Sequence, residues 1–190
     1  AAVLFLFLIT HIDIVLVKLY LSGENAGQYA ALSLIGKIIL YGTPITSTAM
    51  FPATAFLHIK NTRAAGRILH MSLLVTISAA TIIVGIYFAF PSQIVAIILK
   101  DAYRSIAPLV GMMGIIALFW ATTTIYVSYF ISKNSHLFLY PLGMGLILQV
   151  TGIHYFHANI FNILQVLLTV SILLTTSLTI LHLKEYKKAT

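Results

Sequence analysis

The chain has 190 residues, of which 60% are hydrophobic and only 8% are charged, and its mean hydropathy is +1.02. A soluble domain carries about 25% charged residues, so this composition cannot cover a water-facing surface and excludes an ordinary soluble fold. The formal net charge of +7 therefore indicates basic residues on the cytoplasmic side of a membrane and contact with anionic lipid, not nucleic-acid binding.

Apolar runs of membrane-spanning length follow one another along the chain. A spanning helix needs about 20 mostly apolar residues, whereas an outer-membrane strand alternates over about ten, and the runs here are of the first kind. We predict an all-α membrane protein, one unit over 1–190, with six transmembrane helices at about 2–21, 27–58, 68–90, 105–132, 137–157 and 159–183. The second contains Pro44 and Pro52, so we expect it to bend or to extend beyond the bilayer.

The sequence opens with AAVLFLFLIT, which is apolar from its first residue and has neither an initiator Met nor a basic leader before it. A signal peptide has a basic region and a small-residue cleavage site, and neither is visible. We therefore expect the chain to start at or just inside a span and to be a piece of a longer protein.

Basic residues divide unequally between alternate loops. Lys100 and Arg104 lie on one side, whereas the other side carries Lys60, Arg63, Arg67, Lys133, Lys184, Lys187 and Lys188. The positive-inside rule places the larger set, and with it both termini, in the cytoplasm. The stretch IVAIILKDAYR then lies outside, and we expect it to form a short interfacial helix.

Charged side chains lie inside the first two predicted spans. Asp13 is near the middle of the first, and Lys37 lies in the second, which runs in the opposite direction. At about 1.5 Å per residue both reach roughly 14–17 Å below the outer surface, which allows an ion pair between them. A charge at mid-bilayer costs about 2.5–3.5 kcal/mol and marks a functional site by default. A purely structural ion pair is the alternative.

Weaker polar signals follow. Lys18 lies near the outer end of the first span, where it can snorkel to the interface, and Tyr41 continues the Lys37 face of the second. Gln149 lies in the fifth span, and Asn162 and Gln165 lie in the sixth. Polar residues can serve helix packing, but these three amides are costly to bury, so packing and cavity lining both stay open.

Catalytic chemistry has little support in the sequence. His154 and His157 share a helical face, but a catalytic metal usually has three protein ligands, and the chain has only four Asp and Glu. Phosphate-loop and nucleophile-elbow motifs are absent, and the lack of cysteine excludes disulfides. We predict no enzymatic activity, no cofactor and no metal.

A family resemblance appears in the first two spans. Asp13 in an apolar helix, then AGQYAA from Ala26 to Ala31, then Lys37, then Pro52 resembles the first helix pair of the carboxyl-terminal lobe of polysaccharide flippases. These belong to the multidrug/oligosaccharidyl-lipid/polysaccharide exporter superfamily. IVAIILKDAYRSIAPLV resembles the external segment between the third and fourth helices of such a lobe, and the six-span count fits one lobe throughout.

The resemblance implies one six-helix lobe of a two-lobe transporter with a central cavity that opens alternately to each side. Such transporters move polyprenyl-pyrophosphate-linked saccharides, such as O-antigen units for lipopolysaccharide, across the bacterial inner membrane. It implies that Lys37 attracts the pyrophosphate, that Asp13 masks Lys37 in one state, and that Lys18 assists nearer the exit. Coupling to a proton or sodium ion would involve Asp13 or His11. The amino-terminal lobe would precede Ala1, unless a second copy replaces it.

Two other functions stay open. A drug or organic-cation antiporter of the same superfamily would prefer a net acidic cavity, which two embedded lysines and one aspartate oppose. A non-transporting membrane scaffold or assembly subunit should tolerate replacement of both Asp13 and Lys37 by Leu, since exchanging a buried pair for apolar groups is often neutral for stability.

Overall fold

The computed structural model describes residues 2–60, 62–99 and 101–189, with side chains described outside 44–45, 48–49, 51, 53–60, 62–64, 101 and 186–189. These ranges contain helices and no strand. The helices are α1 (Ala2–Tyr20), α2 (Gly23–Lys60), α3 (Thr62–Ala89), α4 (Pro91–Leu99), α5 (Val110–Ser132), α6 (Leu139–Tyr155) and α7 (Ile160–Ala189), with a 3₁₀ segment over Asp101–Leu109.

The prediction of an all-α chain is confirmed, and six long helices lie where six spans were predicted. Four stretches of the described chain are long and apolar enough to cross a membrane: Ala2–Tyr20, Ala65–Ala89, Ala102–Ser132 and Ile160–Glu185. They correspond to the first, third, fourth and sixth predicted spans. Helix α6 has 17 residues. Helix α2 is continuous over 38 residues, about 57 Å, so it is longer than a hydrocarbon core of about 30 Å.

The segment between α3 and α5 contains the short helix predicted there, as α4. The predicted fourth span begins later than expected as an α-helix, because residues 101–109 form a 3₁₀ segment. Pro108 lies inside that segment and has no backbone N–H to donate. Regular α-helical hydrogen bonding therefore starts only beyond it, at Val110.

Helix α5 is the centre of the bundle. It packs against α2, α3 and α7, and it also contacts α1, whereas α1 packs mainly on α6. A helix that is apolar on every side is typically buried on every side, and the α5 sequence VGMMGIIALFWATTTIYVSYFIS is of this kind. The glycines at its start allow α3 to approach closely.

Side-chain contacts show which helix ends meet. At one end of the bundle, Tyr20 of α1 and His154 of α6 are joined by a 2.8 Å hydrogen bond. At the other end, the Lys133 ammonium lies 3.1 Å from the Glu185 carboxylate, which joins the α5–α6 turn to the end of α7. Ala2 lines a pocket with the same turn. Both ends of the described chain therefore lie at one end of the bundle.

The approach of α3 to α5 at Gly114 gives a stability prediction. A Cβ on Gly114 would lie 2.9 Å from Cδ2 of Tyr87, a buried ring whose hydroxyl donates to the Ile35 carbonyl at 2.8 Å. We expect Gly114→Ala to lower the free energy of unfolding by about 1–3 kcal/mol, the usual cost of overpacking. Thermal unfolding in detergent micelles measures the effect.

The matched control is Gly85→Ala, because Gly85 lies inside α3 and a Cβ there would meet nothing within 4 Å. That change should be neutral or stabilise by up to about 1 kcal/mol, since Gly weakens a helix interior relative to Ala. Equal stability of the two variants would show that the α3–α5 contact is looser than described.

Candidate functional site

A small polar cavity lies inside the bundle, between α1, α2, α5, α6 and α7. Its volume is about 20 Å³, which is enough for one water molecule. Apolar residues of α5 and α7 form part of its wall. Its polar lining consists of Thr10, Asp13, Ser33, Lys37, Trp120 and Gln149.

The Asp13 carboxylate is held by a tyrosine. Asp13 is only 5% exposed, and its Oδ2 accepts a 2.5 Å hydrogen bond from the hydroxyl of the fully buried Tyr29 on α2. Its Oδ1 is also buried and has no hydrogen-bond partner among the described residues. Tyr29 therefore ties α1 to α2 at the level of the cavity.

The ion pair that the sequence allows between Asp13 and Lys37 is not formed in the described structure. Both side chains line the cavity, and Lys37 is near enough to interact electrostatically with Asp13, but no nitrogen–oxygen contact within 4.0 Å joins them in the described structure. The physical reason is that the Tyr29 hydroxyl donates a hydrogen bond to the carboxylate in place of Lys37. The Lys37 ammonium then need not be fully desolvated, which would cost free energy. Lys37 stays partly buried at the cavity wall.

Four buried polar atoms without a protein partner meet at this cavity. They are Asp13 Oδ1, Ser33 Oγ and both side-chain amide atoms of Gln149. An unsatisfied buried polar group costs about 1–3 kcal/mol, and such groups are uncommon in native structures. Their convergence on one space indicates a site for a guest that forms hydrogen bonds or accepts oxygen ligands, such as a water molecule or a small cation.

The structure brings together three of the residues selected from the sequence, Asp13, Lys37 and Gln149, although they come from three different helices. Thr10 was not selected, and Ser33 lies on the polar Lys37 face that the sequence indicates; both line the cavity. The signal for each was spacing: Ser33 precedes Lys37 by four residues and Thr10 precedes Asp13 by three, which places each pair on one helical face.

The other selected residues lie elsewhere. His11 does not line the cavity, although its Nδ1 lies 2.9 Å from the hydroxyl of Thr10, which does. Lys18 and Tyr41 are exposed on α1 and α2. Asn162 and Gln165 line a separate groove between α6 and α7. Among the described side chains, no group of three or more His, Asp or Glu is placed to hold a metal ion.

No family model, curated protein or solved structure matches this chain. Its function is therefore inferred from its own residues and their geometry.

Proposed function

We propose that the chain is one six-span lobe of a flippase that moves polyprenyl-pyrophosphate-linked saccharides across the bacterial inner membrane by alternating access, for cell-surface polysaccharide biosynthesis. The observation that carries the proposal is the convergence of Asp13, Lys37 and Gln149 on one cavity inside a bundle of apolar helices. Ionisable residues within membrane spans are costly and mark substrate or ion pathways.

Lys37 is the residue proposed to bind the head group. A lysine ammonium binds phosphate as a compact point charge. Lys37 on α2 is only partly buried, so a ligand can reach it. Asp13 balances its charge when the substrate is absent. Tyr41 lies one turn beyond Lys37, and Lys18 lies near the Tyr20 end of α1; both are exposed and outside the cavity lining, and their proposed role is to contact the substrate before or after Lys37. The lipid tail remains in the bilayer.

A second lobe completes the proposed transporter, either an amino-terminal lobe of a longer chain or a second copy. We propose that both termini are cytoplasmic, which the seven basic residues on alternate loops support under the positive-inside rule. The direct test is reconstitution of the full-length protein in proteoliposomes with a fluorescent pyrophosphate-linked oligosaccharide lipid. Transfer between leaflets should exceed that of protein-free vesicles.

A coupling ion is proposed for the cavity itself. Oxygen atoms of Asp13, Ser33 and Gln149 face a space that fits one small guest, and oxygen is the preferred ligand of hard cations. Asp13 is the proposed carrier of a sodium ion or a proton. His11 is the second candidate for a proton, although its ring lies outside the cavity lining.

Trp120 is the single tryptophan of the chain and lines this cavity, so its fluorescence reports on occupancy. We expect a saturable change of Trp120 emission when sodium chloride replaces choline chloride, or across a pH titration if the ion is a proton. Asp13→Asn should abolish the change, whereas His11→Gln, which removes the second candidate, should keep it. A silent wild type, or the same response in Asp13→Asn, would contradict an ion site at Asp13.

The scaffold function has one observation in its favour. The Tyr29–Asp13 hydrogen bond gives the carboxylate a structural task that needs no transport. This bond does not explain why Lys37, Ser33 and Gln149 share the same cavity. Joint replacement of Asp13 and Lys37 by Leu separates the two functions, because only a transporter should lose activity while remaining folded.

A further inference from the structure

A groove of about 510 Å³ runs between α6 and α7, separate from the Asp13 cavity. Its volume lies within the range of about 300–1,000 Å³ typical of small-molecule sites. Gly152 forms a point of close approach, since a Cβ there would lie 2.6 Å from Cγ1 of Val166. The Val166 side chain therefore packs directly on the α6 backbone at Gly152. Both residues line the groove.

The polarity of the groove changes along its length. Asn162 and Gln165 lie at the mouth, next to the α6–α7 turn, whereas Leu148, Val170 and Leu173 line the deeper part. From Asn162 to Leu173 the helix rises about 16.5 Å, which is about half of a hydrocarbon core of about 30 Å. This stretch matches the depth of about one membrane leaflet, and a smaller depression between the same helices continues past it to Pro141 and Ser177.

The mouth offers hydrogen bonds and no charge. In the described structure the side-chain amides of Asn162 and Gln165 make no hydrogen bond, and the Thr169 hydroxyl already donates to the Gln165 carbonyl at 2.8 Å. None of the described residues that line the groove is charged. Amide groups beside hydrocarbon are stabilised by polar partners, and the uncharged lining of the groove favours neutral ones. Ester carbonyls and glycerol oxygens of a lipid are such groups.

We propose that the α6–α7 groove binds one glycerolipid of the surrounding leaflet. Its glycerol-ester region contacts Asn162 and Gln165, and one acyl chain lies along Val170, Leu173 and Leu148. A transmembrane helix of a second copy is the alternative occupant, and cross-links through α7 would reveal it. The inference does not depend on the flippase proposal.

The test uses purified protein in nanodiscs with a phosphatidylcholine that carries a diazirine in one acyl chain, followed by peptide mapping. Leu173→Trp fills the groove. Ile180→Trp is the matched control, because Ile180 lies on the same helix with similar exposure, 48% against 50% for Leu173, and outside the groove lining. We expect labelling concentrated on α6 and α7, reduced at least about fivefold by Leu173→Trp and unchanged by Ile180→Trp, since a tryptophan occupies the space of the acyl chain.

A second variant guards against misfolding of the first. Asn162→Leu with Gln165→Leu keeps the groove apolar and open, and it should weaken labelling about fivefold, the effect of losing about 1 kcal/mol of hydrogen bonding. Three results would overturn the proposal. The first is labelling of the groove no stronger than labelling around the exposed Leu74 of α3, the level expected from bulk lipid. The others are labelling that Leu173→Trp does not reduce, and cross-links that join two copies through α7.

Discussion

Replacing Lys37 by methionine is expected to lower the rate of saccharide-lipid transfer at least about tenfold in proteoliposomes, while the protein still folds and inserts. A charge-assisted hydrogen bond contributes about 1.5–3 kcal/mol, and 1.4 kcal/mol corresponds to a factor of ten. Methionine keeps most of the length of the side chain and removes its charge together with its hydrogen-bond donors. Lys37→Arg should retain part of the activity, because guanidinium also binds phosphate.

Lys184→Met is the matched control, since Lys184 is exposed near the end of α7 and far along the chain from the cavity. It removes the same charge and should leave the transfer rate unchanged. Initial rates measured by chemical quenching of outer-leaflet fluorescence give the comparison. Wild-type rates in both Lys37→Met and the Asp13→Leu/Lys37→Leu double variant would contradict the transport role of these residues. Transfer by the wild-type protein no faster than in protein-free vesicles would favour the scaffold function.

The Tyr29–Asp13 contact makes this test easier to interpret. A direct ion pair would have meant that loss of Lys37 leaves the buried Asp13 carboxylate unpaired, so that activity and stability fall together. Because Tyr29 donates to that carboxylate, Lys37→Met should change thermal stability little. The transport role of Lys37 and the structural role of Asp13 can therefore be measured separately.

Tyr29→Phe is expected to lower the free energy of unfolding by about 2 kcal/mol. The change removes the described hydrogen-bond partner of a 5% exposed carboxylate, and bonds to charged groups are worth about 1.5–3 kcal/mol. Adding Asp13→Leu should recover most of the loss, because removing both members of a buried polar pair is often nearly neutral. Thermal unfolding of the two single variants and the double variant gives the coupling energy.

Tyr126→Phe is the control for this pair. Tyr126 is also buried, and its hydroxyl accepts a 3.2 Å hydrogen bond from the neutral Thr179 hydroxyl. Neutral hydrogen bonds in membrane proteins average about 0.6 kcal/mol, so Tyr126→Phe should cost clearly less than Tyr29→Phe. If the two losses were equal, or if the double variant were no more stable than Tyr29→Phe, the Asp13–Tyr29 bond would not be the tie between α1 and α2.

The sequence by itself determined the secondary structure and the membrane class, because both follow from local apolar composition and run length. Six long helices lie at the predicted positions, and the start of α5 shifted only where Pro108 interrupts regular hydrogen bonding. The comparable depth of Asp13 and Lys37 also followed from counting residues along two antiparallel helices. The family resemblance, the substrate and the coupling ion remain predictions.

Only the tertiary structure decided which side chains meet. It placed Tyr29 on Asp13, brought Gln149 from α6 to the same cavity, and separated Asn162 and Gln165 into the α6–α7 groove. The physical reason is that lipid tails are as apolar as a leucine core. The lipid-facing and core-facing residues of these helices are therefore equally apolar. As a result, the sequence pattern does not indicate which side of each helix faces the core or which helix packs against it.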